Sequence, residues 1–415
     1  MHKKFVMFVV AGICAVLLGL TVFILQNLSD MAFSNARVST LTFRSGGAQL
    51  VGTLALPPDV QAGPIVLIIH GDGPMDRFAS DGYFPLINSL LDAGIGVFTW
   101  DKQGVGQSTG NWLNQSMSDR ATEALAALAL VREQKGVVAD KVGFLGFSQG
   151  GWVIPRAASE GDPGFSVIVG AAVNWRRQGM YYTRVRMADE GRTQDEIDAA
   201  VKAEYAKNDR VFGASDQTYN PDLFPRMDAA HFNFVQKNYN EDVTAALKTT
   251  RGPVLAIWGA LDLNVDTAED SRLYRDLFAG VRQRQTVVIP DATHSLLRAS
   301  LFNYQLVTQW PVWKEYLFAG LGRHAYAPGS LALITRWIKS SSAAELSGVE
   351  RGGQGRNVRR CTLSVRCPAW ACRVTGNSQV KVTQGCRNPQ NREARTRTQA
   401  GAARSMCGWT PPTRP

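Results

Sequence analysis

Between residues 15 and 360 the chain contains no cysteine. The central body therefore has no disulfide framework, no thiolate metal site and no cysteine nucleophile. Of the six cysteines, Cys14 lies in an apolar N-terminal run, and Cys361, Cys367, Cys372, Cys386 and Cys407 lie near the C-terminus without the paired CxxC spacing of a zinc knuckle. Excess positive charge is lacking in the body as well. The formal charge of the 415 residues is +10, but Arg351–Pro415, with twelve Arg and one Lys against Glu393, carries +12 and leaves −2 for residues 1–350. The high average basicity thus describes a tail, and no nucleic-acid-binding surface is expected on the body. What is present is apolar material, 45% of the residues with 9% aromatic, enough for a large core and too much for a disordered or fibrous chain. The length allows two or three domains, or one large α/β domain with insertions.

Lys3 and Lys4 precede Phe5–Leu25, a stretch without charge. As a helix it would span ~31 Å, about one hydrocarbon core. Residues 1–28 therefore read as a membrane anchor through residues 5–25, with the lysines on the cytoplasmic side and the body outside, which is the periplasm if the cell is Gram-negative. A cleaved leader and a secreted body is the other reading. Ala32-Phe33-Ser34 and Ser34-Asn35-Ala36 are weak small-x-small sites set far from the apolar run.

Further on, residues 41–43 and 50–56 alternate around Ser45-Gly46-Gly47 as a hairpin would. Residues 64–70, 95–101, 141–148, 165–173, 253–259 and 285–290 are short, nearly unbroken apolar runs, as expected of strands covered on both faces. Helical stretches at 118–134 and 149–160 alternate with them, which predicts a mostly parallel sheet with helices on both sides. Residues 174–251 break the alternation and read as an inserted helical cap. A last amphipathic helix at 329–339 follows Pro328, so the core is expected to end near residue 340.

Gly146-Phe147-Ser148-Gln149-Gly150 fits G-x-S-x-G between an apolar strand and a helical run, the setting in which a tight turn lifts a serine hydroxyl above the sheet. A hydroxyl needs a base, and the base needs an orienting acid. Of the five histidines, His2 is in the leader, His231 in the cap and His324 before the last helix. His70 ends a strand, where shaping a loop is its expected role. His294, after the last strand, is the best base. Asp262, just past the end of the 253–259 strand, is the preferred acid; Asp266 is the reserve, although Asp266 and Asp270 suit the start of the next helix. Oxyanion donors are expected from the backbone N–H of Gln149 and, in His70-Gly71-Asp72-Gly73, of Asp72, whose carboxylate must face away from the developing charge. Trp175, Tyr181, Tyr182 and Phe232 are candidates for an acyl wall in the cap. No metal ligand set stands out.

With these residues in place, the chain resembles the α/β-hydrolase superfamily over roughly residues 38–340. It is most similar to bacterial serine esterases and acyl-thioester hydrolases, whose loops HGxGP, DxxGxGxS and GxSxGG stand here as His70–Pro74, Asp101–Ser108 and Gly146–Gly151. The resemblance implies an eight-stranded sheet, a nucleophile elbow, no cofactor, and a cap after the sixth strand that shapes the acyl pocket. Gln103 stands where many relatives carry Arg, which should weaken an ion pair beneath the site. Nothing in the family corresponds to residues after about 345, and 346–415 reads as a basic, disordered tail. The expected function is hydrolysis of small or medium carboxylic esters through an acyl-enzyme. Thioesterase or peptidase chemistry with the same residues, or a non-catalytic binding protein of the same fold, are the alternatives.

Overall fold

The structure is a computed structural model that describes residues 2–58, 62–214 and 217–352. It opens with the helix α1 (His2–Leu28), followed by the hairpin β1 (Arg37–Ser45) and β2 (Ala48–Leu56). Then come β3 (Ile65–Ile69), α2 (Phe84–Asp92), β4 (Gly96–Trp100), α3 (Met117–Arg132), β5 (Val142–Phe147), α4 (Gly150–Glu160) and β6 (Ser166–Val169). Four helices separate β6 from the next strand: α5 (Trp175–Asp189), α6 (Gln194–Phe212), α7 (Ala229–Asn238) and α8 (Thr244–Thr249). The chain continues through β7 (Val254–Gly259), α9 (Thr267–Phe278), β8 (Arg284–Ile289), α10 (Ala299–Phe302), α11 (Val312–Leu321) and α12 (Ser330–Gly352).

The eight strands form one sheet in the order β1-β2-β4-β3-β5-β6-β7-β8. β2 pairs antiparallel with β1 and β4, and every other pairing is parallel. The unbroken apolar runs follow from burial on both faces. In β3, Ile65, Leu67 and Ile69 join a core with α3, α4 and α9 through Leu128, Val153 and Tyr274. Val66 and Ile68 point the other way, into a core with Ile87 and Leu90 of α2 and Ile334 and Ile338 of α12.

Helix ends follow local chemistry. Ser116 and Asp119 make a reciprocal capping box at the start of α3, and Thr193 and Glu196 do the same for α6. Asp266 caps α9 by accepting the N–H of Glu269 (3.0 Å). Two boundaries differ from the sequence reading. The apolar run 165–173 is strand only over Ser166–Val169, because Gly170 turns the backbone to φ +59°. The last helix continues past residue 339 to Gly352, and the rest of the tail expectation lies outside the described residues. Within the interval 174–251, α8 packs Leu247 into the main core, whereas α5–α7 carry small cores of their own, Ile197 with Val201 and Tyr205, and Phe212 with Phe232 and Tyr239.

Candidate active site

Ser148 directly follows β5 and has φ +52°, a left-handed conformation that a residue with a side chain adopts only under constraint. The constraint is visible on both sides of it. Its N–H donates to Val169 O (2.9 Å) and its carbonyl accepts from Gly151 N (2.8 Å), which pins the turn between β6 and the first turn of α4. The flanking glycines are required by close approach: a Cβ on Gly146 would lie 2.7 Å from Ile154 Cδ1, and one on Gly150 would lie 2.9 Å from Ile69 O. The turn therefore presents the Ser148 side chain at the carboxyl edge of the parallel strands.

Asp262 and His294 arrive from the neighbouring strand ends. His294 Nδ1 lies 2.8 Å from Asp262 Oδ2, while Asp262 Oδ1 accepts the backbone N–H groups of Asn264 (2.7 Å) and Val265 (3.0 Å). The carboxylate is buried and its oxygens are directed by these three donors. With Nδ1 carrying the proton that faces Asp262, the lone pair of the ring resides on Nε2. The imidazole is seated over Gly170: a Cβ there would come within 2.9 Å of His294 Nδ1 and 2.8 Å of its carbonyl oxygen. Gly170 directly follows Val169, the acceptor of the Ser148 N–H, so the His294 ring and the Ser148 turn are supported by consecutive residues of one strand end. The structure thus joins Asp262 to His294 by a hydrogen bond and relates them to Ser148 only through the adjacent residues Val169 and Gly170; a Ser148–His294 hydrogen bond is not formed among the described residues. Asp266, the reserve acid, is occupied as a helix cap.

The loop after β3 lies against the same turn, with the Cβ direction of Gly71 3.4 Å from Ser148 Cβ. Its position depends on side chains that sequence reasoning missed. Lys102, buried, donates from Nζ to Gly71 O and Gly73 O, both at 2.8 Å. Arg120 of α3, also buried, donates to His70 O (2.6 Å) and to Gln149 Oε1 (3.0 Å). Gln149 Nε2 in turn donates to Asp72 Oδ1 (2.7 Å), so the Asp72 carboxylate is held by the residue after the nucleophile. Glu123, one turn beyond Arg120, accepts from Trp100 Nε1 (2.8 Å), Gln115 Nε2 (2.7 Å) and Gln103 Nε2 (3.0 Å). Gln103 thus meets this carboxylate with an uncharged amide donor. Burial lowers the pKa of Lys102 well below its ordinary value, assisted by the nearby charge of Arg120, and burial likewise lowers that of Arg120. The one signal in the sequence was polar residues at inward positions of α3, which a helical reading of an alanine-rich stretch does not single out.

His70 shapes this loop. Its Nε2 donates to Trp100 O (2.6 Å), its ring stacks on Tyr83, and burial pushes its pKa down to about 3, so it stays neutral. His231 is on α7 beside Asp228, and His324 lies against Phe23 of α1.

The four cap candidates separate. The Tyr181 hydroxyl donates to Asp262 O (2.8 Å), and burial with the charge of Asp262 raises its pKa to about 12. Trp175 and Tyr182 line a cavity of about 560 Å³ with Tyr205, Phe212, Phe224 and Tyr239. Trp175 also stacks on Trp152 in the first turn of α4, 4.9 Å between ring centres. Phe232 does not line this cavity: it is fully buried, its ring packed among those of Phe212, Tyr219 and Phe224.

A sheet of this order, with a strained strand-to-helix turn at β5 and an Asp–His pair from the ends of β7 and β8, is the architecture of an α/β hydrolase. The chain belongs to the alpha/beta hydrolase family, whose model matches residues 65–300, more than half its length. Solved structures similar to it include an esterase of Pyrococcus furiosus (16% identity, TM-score 0.44, covering 73% of this chain and 94% of that one). Others are Est1E of Butyrivibrio proteoclasticus with ferulic acid (17%, 0.46, 74% and 99%) and a proline iminopeptidase of Mycobacterium smegmatis (16%, 0.47, 74% and 100%). A comparison with curated proteins returns no match.

Proposed function

We propose that this hydrolase-family chain is a serine esterase that cleaves carboxylic esters through an acyl-enzyme. The observation that supports the reading is the Asp262–His294 hydrogen bond, its imidazole seated on Gly170, the residue after the one that accepts the N–H of the strained Ser148. His294 Nε2 takes the Ser148 proton as Oγ attacks the ester carbonyl, and Asp262 stabilises the resulting imidazolium. The backbone N–H groups of Gln149 and Asp72 stabilise the oxyanion. The tetrahedral intermediate collapses as the imidazolium protonates the departing alkoxide, and water, deprotonated by His294, then releases the acid from Ser148. A nucleophile–base contact that is open in the free enzyme commonly closes when substrate binds. Trp175 and Tyr182 form the acyl wall in this reading.

The test is a panel of chromogenic esters from acetyl to long acyl, together with a fluorophosphonate probe, applied to the full chain and to Ser148→Ala. Labelling and turnover should both vanish in the variant. Labelling of Ser148→Ala at the parental level would refute the assignment and leave a non-catalytic member of the fold.

We also read α1 as a retained membrane anchor with the hydrolase body outside the cytoplasm. α1 is long and apolar enough to cross a bilayer, as a signal sequence at an N-terminus also is. Retention is supported by what lies at its foot. Asp30 is buried and accepts a two-point contact from the Arg323 guanidinium (2.6 and 2.9 Å), and Arg323 also reaches Asp92 (2.7 Å). The weak cleavage sites lie in a docked segment, where Asn88 donates to Ala32 O (2.8 Å) and Phe33 packs edge-on against Phe78 and Phe84.

A further inference from the structure

Outside α1, nine large apolar side chains are exposed among the described residues, and four of them fall within ten positions: Val307 (66%), Val312 (64%), Trp313 (57%) and Tyr316 (75%). The last three are on α11, whose opposite side is buried through Lys314 and Phe318. The exposed side of α11 is also the side that meets α1. Gly320 follows Tyr316 by four residues and Trp313 by seven, so all three share one helical stripe, and the Gly320 Cβ direction lies 3.9 Å from Ile24 Cγ2. Phe23 in turn lies 5.5 Å, centre to centre, from the His324 ring just beyond α11.

We infer that the Val312-Trp313-Tyr316 face of α11, with Val307, seats in the lipid headgroup region next to the anchor, making the hydrolase body a membrane-surface domain. The inference rests on reading α1 as a bilayer-spanning anchor, which sets the depth. The uncharged run of α1 covers residues 5–25, about the thickness of a hydrocarbon core, so Phe23 and Ile24 sit at its outer rim. Whatever packs on them is at headgroup level. Trp313 is seven residues from Gly320, ~10 Å along α11, comparable with the depth of one interfacial zone. Trp and Tyr are the side chains that favour this zone, since each has an apolar ring and a polar tip. The Asp30–Arg323–Asp92 contacts prevent the body from turning freely about the foot of α1, so the face is presented to the bilayer in one orientation. The segment leading into α11 also reaches the candidate site: Gln305 donates to Leu263 O (2.9 Å), next to Asp262, and to Tyr182 O (3.1 Å) of the cap.

The experiment reconstitutes the full chain in phosphatidylcholine–phosphatidylglycerol vesicles with benzoylphenylalanine introduced at Trp313, at Tyr316, at Val16 in α1, or at exposed Glu133, and measures lipid photoadducts by mass spectrometry. Expected are adducts at 313 and 316 at least tenfold above the Glu133 level, together with strong labelling at 16. Strong labelling at 16 with 313 and 316 at the Glu133 level would overturn the inference and leave the anchor standing. Adducts at 313 and 316 to another polypeptide, a second copy included, would overturn it in favour of a protein interface. Absence of adducts at 16 would overturn the anchor and the inference together.

Discussion

Gly170→Ala tests the geometry on which the proposed chemistry depends, without touching any of the three reacting residues. The new methyl group would sit 2.9 Å from His294 Nδ1, 3.1 Å from its Cε1 and 2.8 Å from its carbonyl oxygen. Such contacts normally need about 3.4 Å or more, so the imidazole and its backbone would have to move by about 0.5 Å. That displacement stretches or tilts the 2.8 Å bond to Asp262 and moves the ring that the proposed mechanism brings to Ser148. A misplacement of this order costs roughly a hundredfold in kcat. Alanine at φ +59° adds a backbone penalty of about 1–2 kcal/mol. Gly280→Ala separates the two effects, because its φ is +80° but nothing lies within 4 Å of the added carbon. Both variants should lose about the same backbone stability in urea titrations, whereas only Gly170→Ala should lose turnover of a chromogenic ester. Parental kcat in Gly170→Ala, or an equal loss in Gly280→Ala, would refute the placement of His294 as the base.

Lys102→Met removes the donor shared by Gly71 O and Gly73 O. Two buried carbonyls left unpaired cost ~1–3 kcal/mol each, partly offset by no longer burying an amine. A net loss of about 2–4 kcal/mol in urea, with at least a tenfold fall in kcat as the loop carrying Asp72 relaxes, is expected; unchanged values in both assays would show that the loop holds itself. Asp270 accepts the N–H of Val173 (2.8 Å), and burial raises its pKa to about 7. The folded state therefore holds this proton more tightly than the unfolded state, and the associated stability is lost as pH rises from about 4 to about 7. Asp270→Asn keeps an acceptor without the charge, so its melting temperature should exceed the parent's at pH 8 and converge with it near pH 4.5; a pH-independent difference would contradict the assignment.

Strand placement was legible because β3, β4, β5 and β7 are buried on both faces, which demands continuous apolar residues whatever surrounds them. Ser148 was legible because its turn tolerates only glycine on either side, and Asp262 and His294 because each follows a strand whose end defines the site edge. The supporting shell was not. Lys102, Arg120 and Glu123 are charged residues at inward positions, stabilised mostly by partners 20 to 50 residues away, and no local period announces them. The surroundings of Phe232 were not legible for the related reason that an aromatic side chain in a helix looks alike in sequence whether it faces a cavity or a core.

Short-range constraints, the steric demand of the elbow and the double burial of the strands, are written into neighbouring residues and so could be read along the chain. The seating of His294 on Gly170, the clamp of Lys102 on the 71–73 loop and the meeting of α11 with the end of α1 join residues far apart in sequence. Those contacts exist only once the sheet has closed, because their energy comes from desolvated partners that no single segment contains.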